Sequence, residues 1–239
     1  GHRRGPLNGD DDAYRAHLEL VRPQPAAEGA VQCDGRGRAG RVDAAQGPHT
    51  QKYRILGTSS NVLNMNRLGL LPTRNYQQGT FEDAELVSGE YLHEHYKAKT
   101  TACAQCPIAC EQIGHVKEGP YAPAMGQIEY ESLYALSSNC GVNDMEAAIK
   151  AITLCNELGT DTMSTGVTIS WAMECFENGK ITTADTGGIE LKFGNAEAMV
   201  KMTELIADYL QRHQPWYPAT DGNWRLGRDM VAEEVVSAP

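Results

Sequence analysis

The chain has 239 residues, is 41% apolar and carries a net charge of -10, enough for one large domain or two small ones around a real core. The acidity, with no basic stripe interleaved with aromatic residues, argues against a nucleic-acid surface. No apolar run reaches the length of a membrane span, and the N-terminus lacks the layout of a signal peptide. Of seven cysteines, Cys103, Cys106 and Cys110 cluster while Cys33, Cys140, Cys155 and Cys175 scatter, unlike a secreted disulfide framework. A cytoplasmic protein is therefore expected, with neither nucleic acid nor membrane as partner.

Residues 1–51 contain arginine but no lysine, isoleucine, phenylalanine or methionine, and are crowded with Gly, Ala, Pro and Asp. Such a segment buries too little apolar surface to offset its ordering entropy, so it reads as disordered or as sequence foreign to the fold. From about Tyr53 the texture becomes that of a globular domain, taken as residues 52–210. The stretch Glu82 to Lys97 carries Leu86, Val87, Tyr91 and Leu92 at helical spacing, weakened by Gly89.

The string TACAQCPIAC places Cys103, Cys106 and Cys110 within eight residues. A C-x-x-C turn followed by one further turn brings three sulfurs toward one point, as a soft metal centre needs. The spacing suits a four-iron cluster with a distant fourth ligand. Zinc stays open because of His115, as do unligated buried cysteines. Residues Glu111 to Gln127, with Gly114, Gly119, Pro120, Pro123 and Gly126, read as a loop, with a short strand around Ile113 to Val116. Glu129, Tyr130, Glu131 and Ser132 read as a helix N-terminus, where carboxylates suit the helix dipole.

Asn143 followed by Glu146 resembles a capping box, starting a helix with Met145, Ile149, Ile152 and Cys155 on one face and ending at Gly159. A second helix is expected from Ser164 to Glu177, closed by Asn178 and Gly179. Ile189 to Phe193 reads as a short strand. Asn195 then caps a helix that buries Met199, Met202, Leu205, Ile206 and Tyr209. Residues 211–239 have no helical or strand period and read as an irregular tail. The fold expected is mostly α.

Five blocks in this order, LGLLPTRNYQQG, ACAQCPIAC, IEYESLYALSSNCGVND, CNELGTDTMSTGVTISWAMECFENG and LKFGNAEAMVKMTELIA, resemble the tungsten-dependent aldehyde ferredoxin oxidoreductase family over about Tyr53 to Leu210. The resemblance implies a partial chain, the first of two helical domains that follow a β-rich domain in longer proteins. It implies oxidation of a small aldehyde to a carboxylic acid, with ferredoxin or another electron-transfer protein as acceptor. The cofactors implied are a 4Fe-4S cluster and a tungsten or molybdenum bis-pterin, and a homo-oligomer is left open for the full-length protein.

By resemblance Cys103, Cys106 and Cys110 are cluster ligands, while the family's late D-x-x-G-L-C block with the fourth is absent. Tyr130 and Glu131 match a Tyr-Glu pair at the substrate cavity. There a phenol can polarise a carbonyl and a carboxylate can relay a proton. Asn156, Gly159 and Asp161 match the first pterin-binding block, D-x-x-G-L-D, with Asn156 and Thr160 as departures. The same residues also read as a glycine C-cap followed by an Asp N-cap. Lys150 and Thr153 stand where some members carry E-x-x-H for an intersubunit metal, so no such metal is expected. Two other readings remain, an aromatic acyl-CoA reductase subunit of the same family and a non-catalytic iron-sulfur electron-transfer module.

Overall fold

A computed structural model describes residues 47–104 and 106–213. The expectations for the two ends, at residues 1–46 and 214–239, lie outside the described residues. Helix α1 (Pro48–Leu56) opens at a proline, whose fixed φ suits the first helical turn, and crosses the expected boundary at residue 52. It stops at Gly57, φ 72°, where an added Cβ would sit 2.5 Å from Gln112 Cγ and 2.7 Å from the Cys110 carbonyl oxygen. Only glycine allows both that backbone and that approach. A 3-10 turn (Thr58–Ser60) leads into α2 (Asn61–Leu68).

The stripe expected to form one helix over Glu82 to Lys97 is divided. A 3-10 turn (Ala84–Val87) is followed by Ser88 in extended backbone, whose Oγ accepts from Tyr91 N at 3.1 Å and so caps α3 (Gly89–His95). The chain then enters strand β1 (Lys97–Thr101), in residues expected to end the helix.

β1, β2 (Glu111–Val116) and β3 (Ala124–Ile128) form one antiparallel sheet in that order, so the expected 111–127 loop is two strands and their connection. Gln112, Gly114 and Val116 face inward beside Ala124, Gly126 and Ile128, the period-2 alternation of a half-buried sheet. Behind them lies α5 (Met145–Leu158), after α4 (Tyr130–Ala135) and a 3-10 turn (Ser138–Cys140). Thr153 is 4% exposed and donates to Ile149 O at 2.7 Å. A Cβ on Gly126 would come within 2.9 Å of its Oγ1, so this threonine serves the packing of sheet on helix.

The N-cap of α5 is Asp144 rather than Asn143: its Oδ1 accepts from Glu146 N at 2.9 Å and Ala147 N at 3.1 Å. Asn143 instead donates to Asp83 Oδ2 at 2.8 Å. Helix α6 (Thr162–Glu177) begins two residues earlier than expected, and α7 (Ala196–His213) runs into the expected tail. Asn195 caps α7 as expected, accepting from Ala198 N at 3.1 Å. Met199, Met202 and Ile206 are buried, but Leu205 is 40% exposed. Residues Ile189 to Phe193 form no strand.

The core gathers Leu133 and Leu136 with Ile149 and Ile152 of α5, Met173 of α6 and Met199 of α7. Each such side chain stabilises the fold by about 1.5–3 kcal/mol. Among the described residues no helix is long and apolar enough to cross a membrane. The chain is thus mostly helical with one small sheet.

Candidate metal and cofactor site

The cysteine loop hangs between β1 and β2 and is tied down by backbone contacts. Cys106 N donates to Cys103 O at 3.0 Å, the turn expected of C-x-x-C. Arg54 at the end of α1 donates to Pro107 O at 3.2 Å. The buried Gln112 amide reaches Cys110 O at 3.3 Å and Arg54 O at 3.4 Å. Cys103 is exposed, and Cys106 and Cys110 are half-buried. Burial pushes the Cys110 thiol up from its ordinary value, and the Glu129 carboxylate adds to this. The neighbouring thiols of Cys106 and Cys103 contribute in the same direction, so the three sulfurs share one electrostatic neighbourhood.

Glu129, whose charge acts on Cys110, stands just before α4. Its Oε2 accepts from the Thr58 hydroxyl, which itself accepts from Tyr130 N at 2.9 Å, and its Oε1 accepts from Gln127 Nε2 at 3.2 Å. Tyr130 then opens α4 half-buried, its ring 5.2 Å from that of Tyr134. Burial foremost, then the Glu131 charge and the Tyr76 phenol, raise the Tyr130 phenol above its usual range. It therefore stays a proton donor at neutral pH. Glu131 is exposed.

The next residue of α4 joins the second carried-over motif: Ser132 Oγ lies 2.8 Å from Thr162 Oγ1, in the first turn of α6. The cap of that helix is Asp161, exposed, whose Oδ2 accepts from Ser164 N at 2.6 Å. Gly159 ends α5 in left-handed backbone, φ 72° and ψ 28°, with open space where a Cβ would stand. Asn156 is exposed on the last turn of α5. The first turns of α4 and α6 thus adjoin at Ser132 and Thr162, next in the chain to Glu131 and Asp161, while Asn156 and Gly159 lie at the end of α5.

Sequence reasoning missed one constituent. Arg74, Asn75 and Tyr76 lie consecutively in left-handed backbone, at φ 46°, 54° and 62°, costly for residues other than glycine. The turn is held from outside: Arg74 N donates to Ser138 O at 3.0 Å, Asn75 N to Asn139 O at 2.9 Å and Tyr76 N to Asn139 Oδ1 at 3.2 Å. Asn75 Nδ2 donates to Glu174 Oε2 at 2.5 Å, while its Oδ1 accepts from Ser170 Oγ at 3.2 Å. Arg74 pairs with Glu82. The result carries Tyr76, 54% exposed, to Tyr130 and Tyr134. Burial, then a hydrogen bond with Tyr76, push the Tyr134 phenol up. The only signal in the sequence was the quoted TRNY string, which says nothing of backbone sign.

Among the described residues no three His, Cys, Asp or Glu side chains stand close enough to hold one metal ion. The donor set nevertheless fits an iron-sulfur cluster in kind, with three soft thiols on one loop supplying three corners. The remaining described cysteines do not supply the fourth. Cys140 is fully buried against the carbonyls of Ala135 and Gly166, Cys155 is buried in α5, and Cys175 is a half-buried residue of α6 packed against the core. Exposed Asn156 and the second oxygen of Asp161 offer the mixed donors and acceptors that a pterin edge requires.

A family model described as "Aldehyde ferredoxin oxidoreductase, domains 2 & 3" matches residues 39–211. The chain is 39% identical over 173 residues to a tungsten-containing aldehyde ferredoxin oxidoreductase of Thermococcus kodakarensis, covering 70% of this chain and 27% of that protein. The corresponding enzyme of Pyrococcus furiosus is 36% identical over 171 residues, with the same coverage of 70% and 27%. An aliphatic sulfonate oxidoreductase, WOR-like subunit, of Pyrococcus furiosus is 28% identical over 138 residues, or 57% of this chain and 22% of that one. The chain thus spans little more than a quarter of the length of the curated tungsten-containing relatives it matches. Among solved structures, the active-site complex BamBC of benzoyl coenzyme A reductase with 1,5-dienoyl-CoA shares the fold. It aligns with a TM-score of 0.50 at 16% identity, covering 72% of this chain and 28% of that one. By the matched residues and their identity, the chain belongs to the aldehyde ferredoxin oxidoreductase family of oxidoreductases.

Proposed function

We propose that the chain is the cluster-bearing and cofactor-facing helical part of an enzyme that oxidises aldehydes to carboxylic acids and passes the electrons to ferredoxin. The observation that carries this reading is the 2.8 Å contact of Ser132 with Thr162, which ties the Tyr130 and Glu131 turn to the turn of Asp161. Aldehyde and water yield carboxylate, three protons and two electrons, and a tungsten or molybdenum pterin with a 4Fe-4S cluster supplies the redox chemistry when bound.

The chain's own residues do the rest. Tyr130, kept protonated by burial, donates its phenol hydrogen to the aldehyde oxygen and polarises the carbonyl. Glu131 at the exposed helix start takes a proton from the incoming water. Asn156 and Asp161 would hold the edge of the pterin ring, and Gly159 ends α5 between them in the chain. Cys103, Cys106 and Cys110 would hold three iron atoms of the cluster, and Thr58 joins Glu129 to the backbone of Tyr130.

Anaerobic loading of the chain with iron, sulfide and the preformed tungsten pterin, followed by metal analysis, tests the reading. Iron and sulfide in equal amounts are expected, lost in a Cys103→Ser, Cys106→Ser, Cys110→Ser variant that keeps its tungsten, whereas an Asn156→Ala, Asp161→Ala variant should lose tungsten and keep iron. Equal iron in the chain and its cysteine variant overturns the ligand assignment. Iron without tungsten favours the electron-transfer module instead.

A further inference from the structure

We propose that Tyr76 is a positioning residue for Tyr130 and acts on it through Tyr134. Its purpose rests on the role given above to Tyr130, whereas the coupling itself needs neither cluster nor pterin. Three consecutive residues in left-handed backbone cost free energy that other contacts must offset. At Tyr76 the usual offset, burial of the side chain, is small, since the residue is 54% exposed. Glycine would adopt φ 62° more cheaply. What tyrosine adds at this position is a phenol held in one place.

The holding is done by buried groups. Tyr76 N donates to Asn139 Oδ1 at 3.2 Å, and the fully buried Asn139 donates from Nδ2 to Ser170 Oγ at 2.8 Å. Thr73 N to Gln78 O at 3.1 Å and Gln78 N to Thr73 O at 3.2 Å close the turn on itself. The same turn is tied to the end of α4. Ser138 Oγ donates to Pro72 O at 2.8 Å and lies 3.5 Å from Tyr134 O.

From there the link runs through side chains. Tyr134 is 9% exposed, and its phenol donates to that of Tyr76. A buried phenol loses free energy when its proton is unpaired, so this bond fixes the Tyr134 ring. Tyr130 stands four residues earlier on the same helix, with ring centroids 5.2 Å apart and planes tilted by 52°, an arrangement in which aromatic rings attract. Tyr130 itself is half-buried, and the fixed Tyr134 ring supplies confinement that burial alone does not. A phenol that must meet a carbonyl oxygen gains from a fixed direction, because a small misplacement costs much of its effect. Burial, then Glu131 and Tyr76, also raise the Tyr130 phenol, so the turn helps to keep it protonated.

NMR of the 239-residue chain with isotope-labelled tyrosines, free of metal and cofactor, tests this. Tyr76→Phe keeps the ring and removes the hydroxyl. It should raise the minor χ1 population of Tyr130 about fivefold, the factor carried by one net hydrogen bond, and move the titration of its ζ-carbon to lower pH. Tyr134→Phe removes the same bond from the other end while keeping the stacked ring, so it should raise that population equally, and the double variant should add nothing further. Tyr121→Phe removes a phenol raised by burial and by Asp144, Glu197 and Glu146, and it should leave Tyr130 unchanged. Circular dichroism checks that each variant is folded; if Tyr76→Phe is not, Tyr134→Phe decides alone. An unchanged Tyr130, additive effects or an equal response to Tyr121→Phe overturns the positioning role. Metal analysis of the loaded chain stands apart from this. A chain that takes up neither iron nor tungsten while Tyr130 responds keeps the coupling and removes its purpose, and a loaded chain with an unresponsive Tyr130 does the reverse.

Discussion

The hydroxyls of Ser132 and Thr162 lie 2.8 Å apart, although 30 residues separate them. Through this contact the first turns of α4 and α6 share one edge, where the Tyr130 and Glu131 pair meets the Asp161 cap. Ser132→Ala and Thr162→Val should each destabilise the fold by about 1 kcal/mol, the usual net worth of a hydrogen bond. The double variant should lose less than the sum. Urea unfolding of the four proteins measures the coupling; strict additivity would mean that the two hydroxyls do not interact.

Asn75 stands at the middle of the left-handed turn and binds Glu174 and Ser170 with its side chain. Asn75→Ala removes both bonds and puts a residue poorly suited to φ 54° in place. A loss of about 2–3 kcal/mol is expected, and Asn75→Gly, which restores backbone freedom but not the bonds, should recover about 1 kcal/mol of it. Thermal unfolding of the two variants separates strain from bonding. Identical midpoints would show that backbone sign does not matter there.

Gly57 brings the end of α1 against Gln112 and the Cys110 carbonyl. Gly57→Ala adds a Cβ in left-handed backbone at 2.7 Å from that carbonyl oxygen, so about 2–4 kcal/mol of stability should be lost. Because the same contact positions the cysteine loop, its thiols should react faster with a thiol reagent under native conditions. Unchanged rates would detach α1 from the loop.

The phenol of Tyr96 donates to Glu146 Oε1 at 3.0 Å, and burial, then that hydrogen bond, raise it well above its ordinary value. A raised folded value means that the folded chain binds the proton more tightly. This contribution is therefore complete below about pH 10, the unfolded tyrosine value, and is lost as pH rises above it. Tyr134 and Cys140, raised chiefly by burial, act in the same sense. Urea midpoints taken between about pH 9 and about pH 12 should fall, and more gently in Tyr96→Phe. A Tyr96→Phe curve parallel to that of the unsubstituted chain would remove Tyr96 from the account.

Features settled within a few residues were legible in the sequence. The cap of α7 by Asn195, the end of α5 at Gly159 and the turn from Cys103 to Cys106 each depend on a local side chain or φ value. Even so, the cap of α5 fell one residue away, on Asp144, because two polar residues in a row compete and only geometry chooses between them. β1 and β3 were not legible: five residues each, they are strands only because β2 lies between them, and that pairing is non-local. The division at Ser88 was hidden for a related reason, since a helical stripe in the sequence does not reveal where the backbone turns extended.

The sequence by itself determined which chemistry is present: three thiols on one loop, a phenol beside a carboxylate, and an Asp cap after a glycine, together with the mostly helical class. Only the tertiary structure decided that Thr58 joins Glu129 to the backbone of Tyr130, that Ser132 meets Thr162, and that Tyr76 reaches Tyr134 from a strained turn. The physical reason is range. Caps and turns are fixed by neighbours in the chain, whereas hydrogen bonds between residues 58 and 129, or 132 and 162, exist only after burial of the core has brought distant segments together.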